Sequence, residues 1–359
     1  MRLEPIQRQL EGLHALLALS PGQDFRYAVG WTPMGDERLT FLLIGPDHVR
    51  LVIASVNAEE ATAHLGSTFP LVRFSDDAGP QQVLREALSS LGTVNTILVA
   101  DDARYAHAKI LSDVSHVTLG LASQVMAPLR MVKDDDEQKL LLESQRINDM
   151  AMQAAYAAMQ PGLTELELAD VIRRSFIANG ADQEAFIIVA AGEHSALPHH
   201  SPTTTVIEPG PVLLDIGCYY QGYASDMTRV AYLGEPGEKF RRVHALVEQA
   251  VRAAHQAARP GSSSEEVDRA ARRVITEGGF GPAFVHRVGH GIGLSVHEPP
   301  SVMETNRMKL PEGAAFSIEP GIYLPGEFGV RLEEVVINRV GGADILSRVP
   351  RDIFVKALS

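Results

Sequence analysis

The stretch DIGCYYQGYASD, residues 215–226, decides how the second part of this chain folds. It predicts a β-hairpin with Asp215 on one arm and Asp226 on the other, because largely apolar residues precede the first aspartate and follow the second. A buried carboxylate is costly unless a cation or several hydrogen bonds compensate it, and two facing carboxylates repel each other. The hairpin therefore requires that another part of the chain, or a bound cation, neutralise the two aspartates.

An internal repeat surrounds the hairpin. The segment AAYAAMQPG at residues 154–162 resembles AAHQAARPG at residues 253–261, at an offset of 99 residues. In both copies one helix is predicted to end at Pro-Gly, and a second to start at a Thr or Ser cap with Glu three residues later and to stop at a glycine. Ala-rich helices resemble one another by composition, but matching caps and stops at one offset favour duplication. The repeat predicts two similar halves, each a helix pair followed by β-rich sequence.

Each half carries the same kinds of polar residue after its helix pair. There is one histidine and two strand-borne carboxylates, and a pseudo-twofold axis would bring the two carboxylate pairs together at the centre of the domain. These residues are His199, Asp215 and Asp226 in the first half, and His297, Glu319 and Glu333 in the second. Glu334 has the opposite strand parity to its neighbour and is predicted to face away.

Four converging carboxylates in apolar surroundings predict a metal site. Two divalent cations would balance their charge, and oxygen ligands suit hard ions such as Mg²⁺ or Mn²⁺. His290 lies between two glycines and is the natural nitrogen ligand, so the set favours Mn²⁺, Co²⁺ or Fe²⁺ over a thiolate-type zinc site. Taken singly, each residue has an ordinary structural interpretation as a turn, packing or surface residue. It is their combination that indicates chemistry. We assign no role to His200, His286 or Glu298.

Composition excludes several classes of function. The chain has 359 residues, 45% of them hydrophobic and 21% charged, with a formal net charge of −13. No excess of positive charge is available, which argues against nucleic acid or an anionic membrane as the main partner. The single cysteine, Cys218, fits a reducing compartment and is interpreted as a buried side chain. No signal-peptide pattern or spanning apolar run is seen, so a cytoplasmic location is expected.

The first third of the chain has a different pattern. Short apolar runs alternate with helical periodicity up to about residue 125, which predicts a small α/β domain. The charged run KDDDE at residues 133–137 precedes a long predicted helix, with Asp134 and Glu137 spaced as a capping box. We therefore predict two domains, residues 1–127 and 128–359.

The hairpin and the segments GHGIGLSVHEPP, SIEPGIY and GVRLEEVVI together resemble the dinuclear-metal "pita-bread" peptidases of family M24. This family includes methionine aminopeptidase, aminopeptidase P and prolidase, and the first domain resembles the creatinase-like N-terminal domain of the latter two. The resemblance implies an α/β domain followed by an α+β pita-bread domain with a pseudo-twofold repeat. It also implies the metal ligands, namely Asp215, Asp226, His290, Glu319 and Glu333.

The same resemblance implies a role for each residue. Asp215 would chelate one metal, Asp226 and Glu333 would bridge both, and His290 and Glu319 would complete the second. Glu319 would also be the general base for the bridging water. The family's two non-ligand histidines, which contact substrate, correspond to His199 and His297. Arg331 would orient a carboxylate from outside the ligand set, and Tyr323 is a weaker candidate for proton relay.

The activity implied is hydrolysis of Xaa-Pro dipeptides, with two divalent ions, Mn²⁺ favoured and Co²⁺, Zn²⁺ or Fe²⁺ as alternatives. Small proline-containing peptides would be the partners, and a homodimer is expected. Aminopeptidase P activity on longer Xaa-Pro peptides is the alternative, and a metal-free creatinase-like or peptide-binding relative is a third possibility. One departure bears on the choice. Some prolidases carry, four residues after the second histidine, an arginine that can hold the dipeptide carboxylate, whereas this chain has Ser301. Arg307 is a speculative substitute.

Overall fold

The computed structural model describes residues 1–92 and 94–358. The chain divides into two units, Met1–Arg130 and Met131–Ser359. The boundary predicted between residues 127 and 128 falls inside the helix Ser123–Met131, because the charged run caps the next helix and does not form a linker. The predicted end of the second domain, Ser359, lies outside the described residues.

The first unit contains a mixed six-stranded sheet with strand order β4-β3-β2-β1-β5-β6. Strand β2 pairs antiparallel with β1 and β3, and the other neighbours are parallel. Strands β1 and β2 are buried along their whole length, so their apolar runs form the centre of this unit's core. Its elements are α1 Leu3–Glu11, β1 Ala15–Leu19, α2 Gln23–Val29, β2 Phe41–Ile44, β3 Val49–Ala54, α3 Ala58–Leu65, β4 Leu71–Phe74, α4 Gln81–Ser89, β5 Thr96–Val99, α5 Tyr105–Ser115, β6 Thr118–Leu121 and α6 Ser123–Met131.

The second unit is built from two helix pairs and three sheets. One sheet has the order β18-β10-β8-β7 with β9 paired to β8, a second has the order β12-β11-β13-β16-β17, and β14 pairs with β15. Its elements are α7 Asp135–Ala158, α8 Glu165–Ala178, β7 Gln183–Ala191, β8 Gly210–Tyr220, β9 Tyr223–Ala224, β10 Met227–Leu233, α9 Glu238–Ala257, α10 Ser264–Glu277, β11 Gly289–Gly291, β12 Glu298–Val302, β13 Ala315–Ile318, β14 Gly321–Leu324, β15 Phe328–Arg331, β16 Glu334–Ile337, β17 Asp344–Ile345 and β18 Phe354–Lys356.

The predicted repeat is present in the helices. Helices α8 and α10 begin and end at positions that differ by the offset read from the sequence. Each starts with a complete capping box, Thr164 with Glu167 and Ser263 with Glu266, because the hydroxyl and carboxylate satisfy backbone N–H groups at the helix start. The pair α7 and α8 packs its apolar face against β7, β8 and β10, whereas the pair α9 and α10 packs against strands of both halves, so the unit has two apolar cores.

The predicted hairpin is formed by β8, β9 and β10. Gln221 and Gly222 both have positive φ, which is typical of a two-residue type I′ turn. Beyond the turn, β8 continues against β10, and Asp215 lies opposite Thr228. The single cysteine, Cys218, is buried, and burial raises the pKa of its thiol to about 11, so it is not poised as a nucleophile.

Within the part of the chain that the structure describes, no helix combines the length and apolar character needed to cross a bilayer.

Candidate functional site

A cavity of about 470 Å³ in the second unit brings the predicted site residues together. Its volume is within the range of small-molecule sites. All five predicted metal ligands, both predicted non-ligand histidines and Arg331 line it, whereas Tyr323 lies behind Arg331. The lining consists of Ala185, Phe186, Ile188, Pro198, His199, Asp215, Asp226, His286, Arg287, His290, Val296, His297, Glu319, Arg331 and Glu333.

The carboxylates and the imidazole come from strands or from strand ends. Asp215 lies within β8, and Asp226 occupies the break between β9 and β10. Glu319 directly follows β13, and Glu333 lies in the break between β15 and β16. Irregular positions at strand ends let a side chain point into a cavity without occupying a place in the hydrogen-bonded ladder. The central residue of β11 is His290.

Glycines on both sides of His290 allow β11 to lie between β12 and β13. A Cβ atom at Gly289 would overlap the carbonyl group of Ser317, and one at Gly291 would overlap that of Pro299. Larger residues would therefore push the strands apart and move the imidazole.

Three of the four carboxylates, Asp215, Asp226 and Glu333, have raised pKa values. Burial raises the pKa of Asp226 well above its usual range, and the charges of Glu333 and Asp215 raise it further. Burial likewise raises the pKa of Glu333, to which the charge of Glu319 adds. Burial also raises the pKa of Asp215, although Arg331 opposes the shift. These groups require either protons or a cation.

Glu319 differs from the other carboxylates. Burial alone would raise its pKa, but the hydrogen bond and charge of His290 outweigh that effect and lower the pKa to about 2. The imidazole Nε2 lies 3.1 Å from Oε1 of Glu319 and 3.6 Å from Oδ2 of Asp226. The hydroxyl of Ser317 donates to Oε1 at 3.3 Å. Glu319 is thus held ionised at neutral pH.

The donor set fits a divalent cation. Asp226, His290 and Glu333 each offer a ligand atom, and these atoms lie within 4.8 Å of one another. Among the described residues, buried Oδ1 of Asp215 and Oε1 of Glu333 have no hydrogen-bond partner. Buried oxygens of this kind are normally satisfied, so a cation among them would remove both the unmet hydrogen-bonding capacity and the repulsion. Carboxylate oxygens with one imidazole suit Mn²⁺ and similar ions.

Arg331 connects the site to a hydrogen-bond network behind it. Its Nη2 lies 2.5 Å from Oδ2 of Asp215, and its Nε donates to the hydroxyl of Thr228 at 3.0 Å. That hydroxyl donates in turn to Oε2 of Glu333 at 2.8 Å. Arg331 also donates to the hydroxyl of Tyr323 at 2.6 Å. One guanidinium therefore contacts Asp215 directly and Glu333 through Thr228, and the orienting role expected for it stays a prediction.

The tautomer of His286 follows from its two partners. Its Nδ1 lies 2.7 Å from the carbonyl oxygen of Arg287, which can only accept, so Nδ1 carries the proton. The Nε2 atom then accepts from the Tyr323 hydroxyl at 2.8 Å. Burial lowers the pKa of His286 and favours this neutral form. Tyr323 is thus held between His286 and Arg331, and Arg331 links it to the carboxylate of Asp215.

The two predicted non-ligand histidines, His199 and His297, are exposed and line the cavity. The ring of His297 meets that of His290 edge to face, with ring centres 4.2 Å apart. Contact with His290 and the surrounding protein partly desolvates the ring, and this desolvation, together with the charges of His290 and Arg287, lowers the pKa of His297 to about 4. It is therefore neutral at pH 7 and can donate one hydrogen bond to a bound group.

The loop that carries His199 is held by Glu165, which the sequence interpretation did not single out. The fully buried Glu165 carboxylate accepts from the backbone N–H groups of Ala191 and Thr203, which bracket this loop. It also lies 2.9 Å from Nδ1 of His194 and 2.8 Å from Nε2 of His200. We interpret Glu165, His194 and His200 as a structural clamp, because these hydrogen bonds hold the two ends of the loop together.

Replacing Glu165 by glutamine is expected to destabilise the protein by about 2 kcal/mol or more, because the new amide N–H groups would face donors that now point at a carboxylate oxygen. The urea midpoint of unfolding measures this change. Glu193→Gln, in the same loop but exposed, is the control and should leave the midpoint unchanged. Equal midpoints for the two variants would contradict the clamp.

Three further residues of the site were not predicted from the sequence: Thr228, His286 and Arg287. Each lies near a residue that was predicted. Thr228 follows Asp226 by two residues, and His286 and Arg287 lie three and two residues before the strand Gly289–Gly291 that carries His290. Their proximity in sequence is a usable signal, but their roles depend on partners far along the chain.

Comparison with known proteins gave consistent matches. The model of metallopeptidase family M24 matches residues 139–339. The Xaa-Pro dipeptidase of Pyrococcus furiosus is 32% identical over 331 residues, covering 91% of each chain. The crystal structure of dipeptidase PepE from Mycobacterium ulcerans matches with a TM-score of 0.95 and 35% identity, covering 99% of this chain and 97% of that one. The X-Pro aminopeptidase of Thermotoga maritima matches with a TM-score of 0.83 and 31% identity, covering 98% and 99%.

Proposed function

The chain belongs to metallopeptidase family M24 and is a peptidase with that family's pita-bread fold, and on this premise we propose that it hydrolyses Xaa-Pro dipeptides with two divalent metal ions. The observation that carries the proposal is the cavity itself. It brings together four carboxylates and one imidazole, with two buried carboxylate oxygens lacking a donor among the described residues. Relatives and structural neighbours named as dipeptidases support the choice of substrate.

The proposed ligand assignment is the one that the resemblance to the family implies. Asp215 would hold one ion, His290 and Glu319 the other, and Asp226 and Glu333 both. When bound, two divalent ions supply an activated water and stabilise the negative charge that develops on the scissile carbonyl oxygen. Family membership implies divalent ions. Mn²⁺ is our proposal among them, with Co²⁺, Zn²⁺ or Fe²⁺ as alternatives.

The chain's own residues supply the proton transfers and the orientation. Glu319, ionised at neutral pH, accepts the proton of the attacking water as general base. His297, neutral at pH 7, and His199 are placed to hydrogen-bond the substrate. Arg331 keeps Asp215 oriented, and Thr228 does the same for Glu333.

Selection for proline has a simple chemical reason. An Xaa-Pro bond is a tertiary amide without an N–H group, so a site that reads the backbone as an extended strand loses that contact. A cavity that grips the free amino group and the carbonyl oxygen does not depend on it. Apolar residues such as Phe186 and Ile188 line the same cavity and suit the pyrrolidine ring.

Aminopeptidase P activity on longer Xaa-Pro peptides is the second candidate, supported by the similarity to the Thermotoga enzyme. A metal-free or peptide-binding role is less well supported, because it does not account for the converging carboxylates. Homodimer formation and a cytoplasmic location stay predictions.

A direct comparison of two peptides separates the candidates. With added Mn²⁺, we expect kcat/KM for the dipeptide Ala-Pro to exceed that for the tripeptide Ala-Pro-Ala by at least about tenfold, a modest discrimination for a charged terminal group. Faster cleavage of the tripeptide would favour the aminopeptidase. If neither peptide is cleaved after addition of Mn²⁺ or Co²⁺, and no metal is bound, the metal-free role is favoured.

A further inference from the structure

The cavity contains two arginines whose charges are compensated differently. The guanidinium of Arg331 is buried and lies against Asp215, so its charge is matched by a carboxylate. The guanidinium of Arg287 donates from Nη1 to the hydroxyl of Ser301 at 3.1 Å, and a hydroxyl carries no charge. Arg287 is half-buried and therefore accessible from the cavity.

The position of Arg287 is set by the strands that hold the site. It lies two residues before β11, and its partner Ser301 lies opposite His290 in the β11–β12 pairing. The positive charge of Arg287 is one of the causes that lower the pKa of His297. Arg287 thus lines the cavity close to His290 and His297.

A dipeptide brings a second charged group into this cavity. Its free α-carboxylate would meet four protein carboxylates unless a cation with unmatched charge is close. Arginine suits this task because its planar fork donates two parallel hydrogen bonds to a carboxylate. The Ser301 hydroxyl does not line the cavity itself, but it accepts from Arg287 and so helps to hold the guanidinium in place.

We propose that Arg287, supported by Ser301, binds the C-terminal carboxylate of the substrate and so determines the preference for dipeptides. This inference rests on the proposed Xaa-Pro peptidase function. Arg307, the substitute suggested by the sequence, does not line the cavity. Its side chain is 87% exposed and lies 3.4 Å from Glu265.

The test compares two substrates in each enzyme, Ala-Pro and its C-terminal amide, which differ only in the carboxylate. Wild-type enzyme with Mn²⁺ should prefer Ala-Pro by at least about tenfold in kcat/KM. Arg287→Gln should lower kcat/KM for Ala-Pro by about 100-fold, mainly through KM, and change the amide by less than about threefold. The ratio within one enzyme does not depend on how much of the preparation is folded.

Two further variants complete the experiment. Arg287→Lys keeps the charge but loses the planar fork, so it should retain part of the preference for Ala-Pro even if Arg287→Gln folds poorly. Arg307→Gln is the matched control and should behave as wild type on both substrates. Loss of the preference in Arg307→Gln, or equal losses on both substrates in Arg287→Gln, would overturn the assignment while leaving the peptidase intact. A wild-type enzyme that cleaves neither substrate would instead refute the proposed function itself.

Discussion

Replacing Glu319 by glutamine is expected to lower kcat for Ala-Pro by about 1,000-fold, within the range attributed to a positioned general base. Glutamine has the shape of glutamate but cannot accept the proton of the attacking water. It also replaces a charged ligand atom with a neutral one, which weakens metal binding. Turnover at saturating Mn²⁺, with the metal content measured on the same sample, separates the two effects.

The Glu319→Gln protein should nevertheless fold. Glu319 is one of four acidic groups sharing the cavity, and removing one negative charge relieves repulsion on Asp226. We expect its thermal midpoint without metal to match or exceed that of the wild type. Glu327→Gln is a suitable control, because Glu327 is exposed and its partner is the surface residue Lys239. Near-normal turnover in Glu319→Gln would refute its role as general base.

The elements that sequence reasoning predicted best were those with local signals. The hairpin of Asp215 and Asp226 is confirmed. The sequence could predict it because largely apolar residues on both sides of the two aspartates form a short-range pattern. The helix pairs are confirmed for the same reason, since caps and stops lie within a few residues of one another. The pita-bread fold expected from the motif segments is confirmed by the similar solved structures.

Residues that act through distant partners were not predictable. Glu165 occupies the first turn of a helix, where an acidic residue usually serves the helix dipole, yet its partners lie 26 to 38 residues further along the chain. The contact between Arg287 and Ser301 depends on the irregular register between β11 and β12. No local pattern encodes either arrangement, because both depend on how separate segments pack.

The position of Glu334 shows how far strand parity can be used. Parity separated it from Glu333, and it is in fact held away from the cavity by Arg229 at 2.9 Å and Arg351 at 2.8 Å. Parity could not supply those partners. A buried arginine within β10 and another near the chain's end are both needed to satisfy this second buried carboxylate.

Removing the metal should make the stability of the protein fall as pH rises. In the metal-free state the folded-state pKa values of Asp226 and Glu333 are raised well above their ordinary values, so between those values the folded state binds more protons than the unfolded state. Stability therefore decreases as pH rises through that window. Glu319 has the opposite sign, but with a pKa of about 2 its contribution is lost only in strong acid.

The measurement is the urea midpoint after chelation, at about pH 5.5 and about pH 8. We expect a loss of stability on the order of 1–3 kcal/mol between them, since each pKa unit corresponds to about 1.4 kcal/mol. Asp226→Asn removes one of the raised carboxyls and should flatten this dependence, whereas Glu327→Gln should not.

Addition of Mn²⁺ should reverse the trend, because a metal ion competes with protons for the same carboxylates and binds more tightly as pH rises. The loaded protein should then be at least as stable at about pH 8 as at about pH 5.5. If the chelated protein instead grows more stable with pH, the pKa values of Asp226 and Glu333 are not raised in the folded, metal-free state. The cavity would then lack the electrostatic reason to bind two cations.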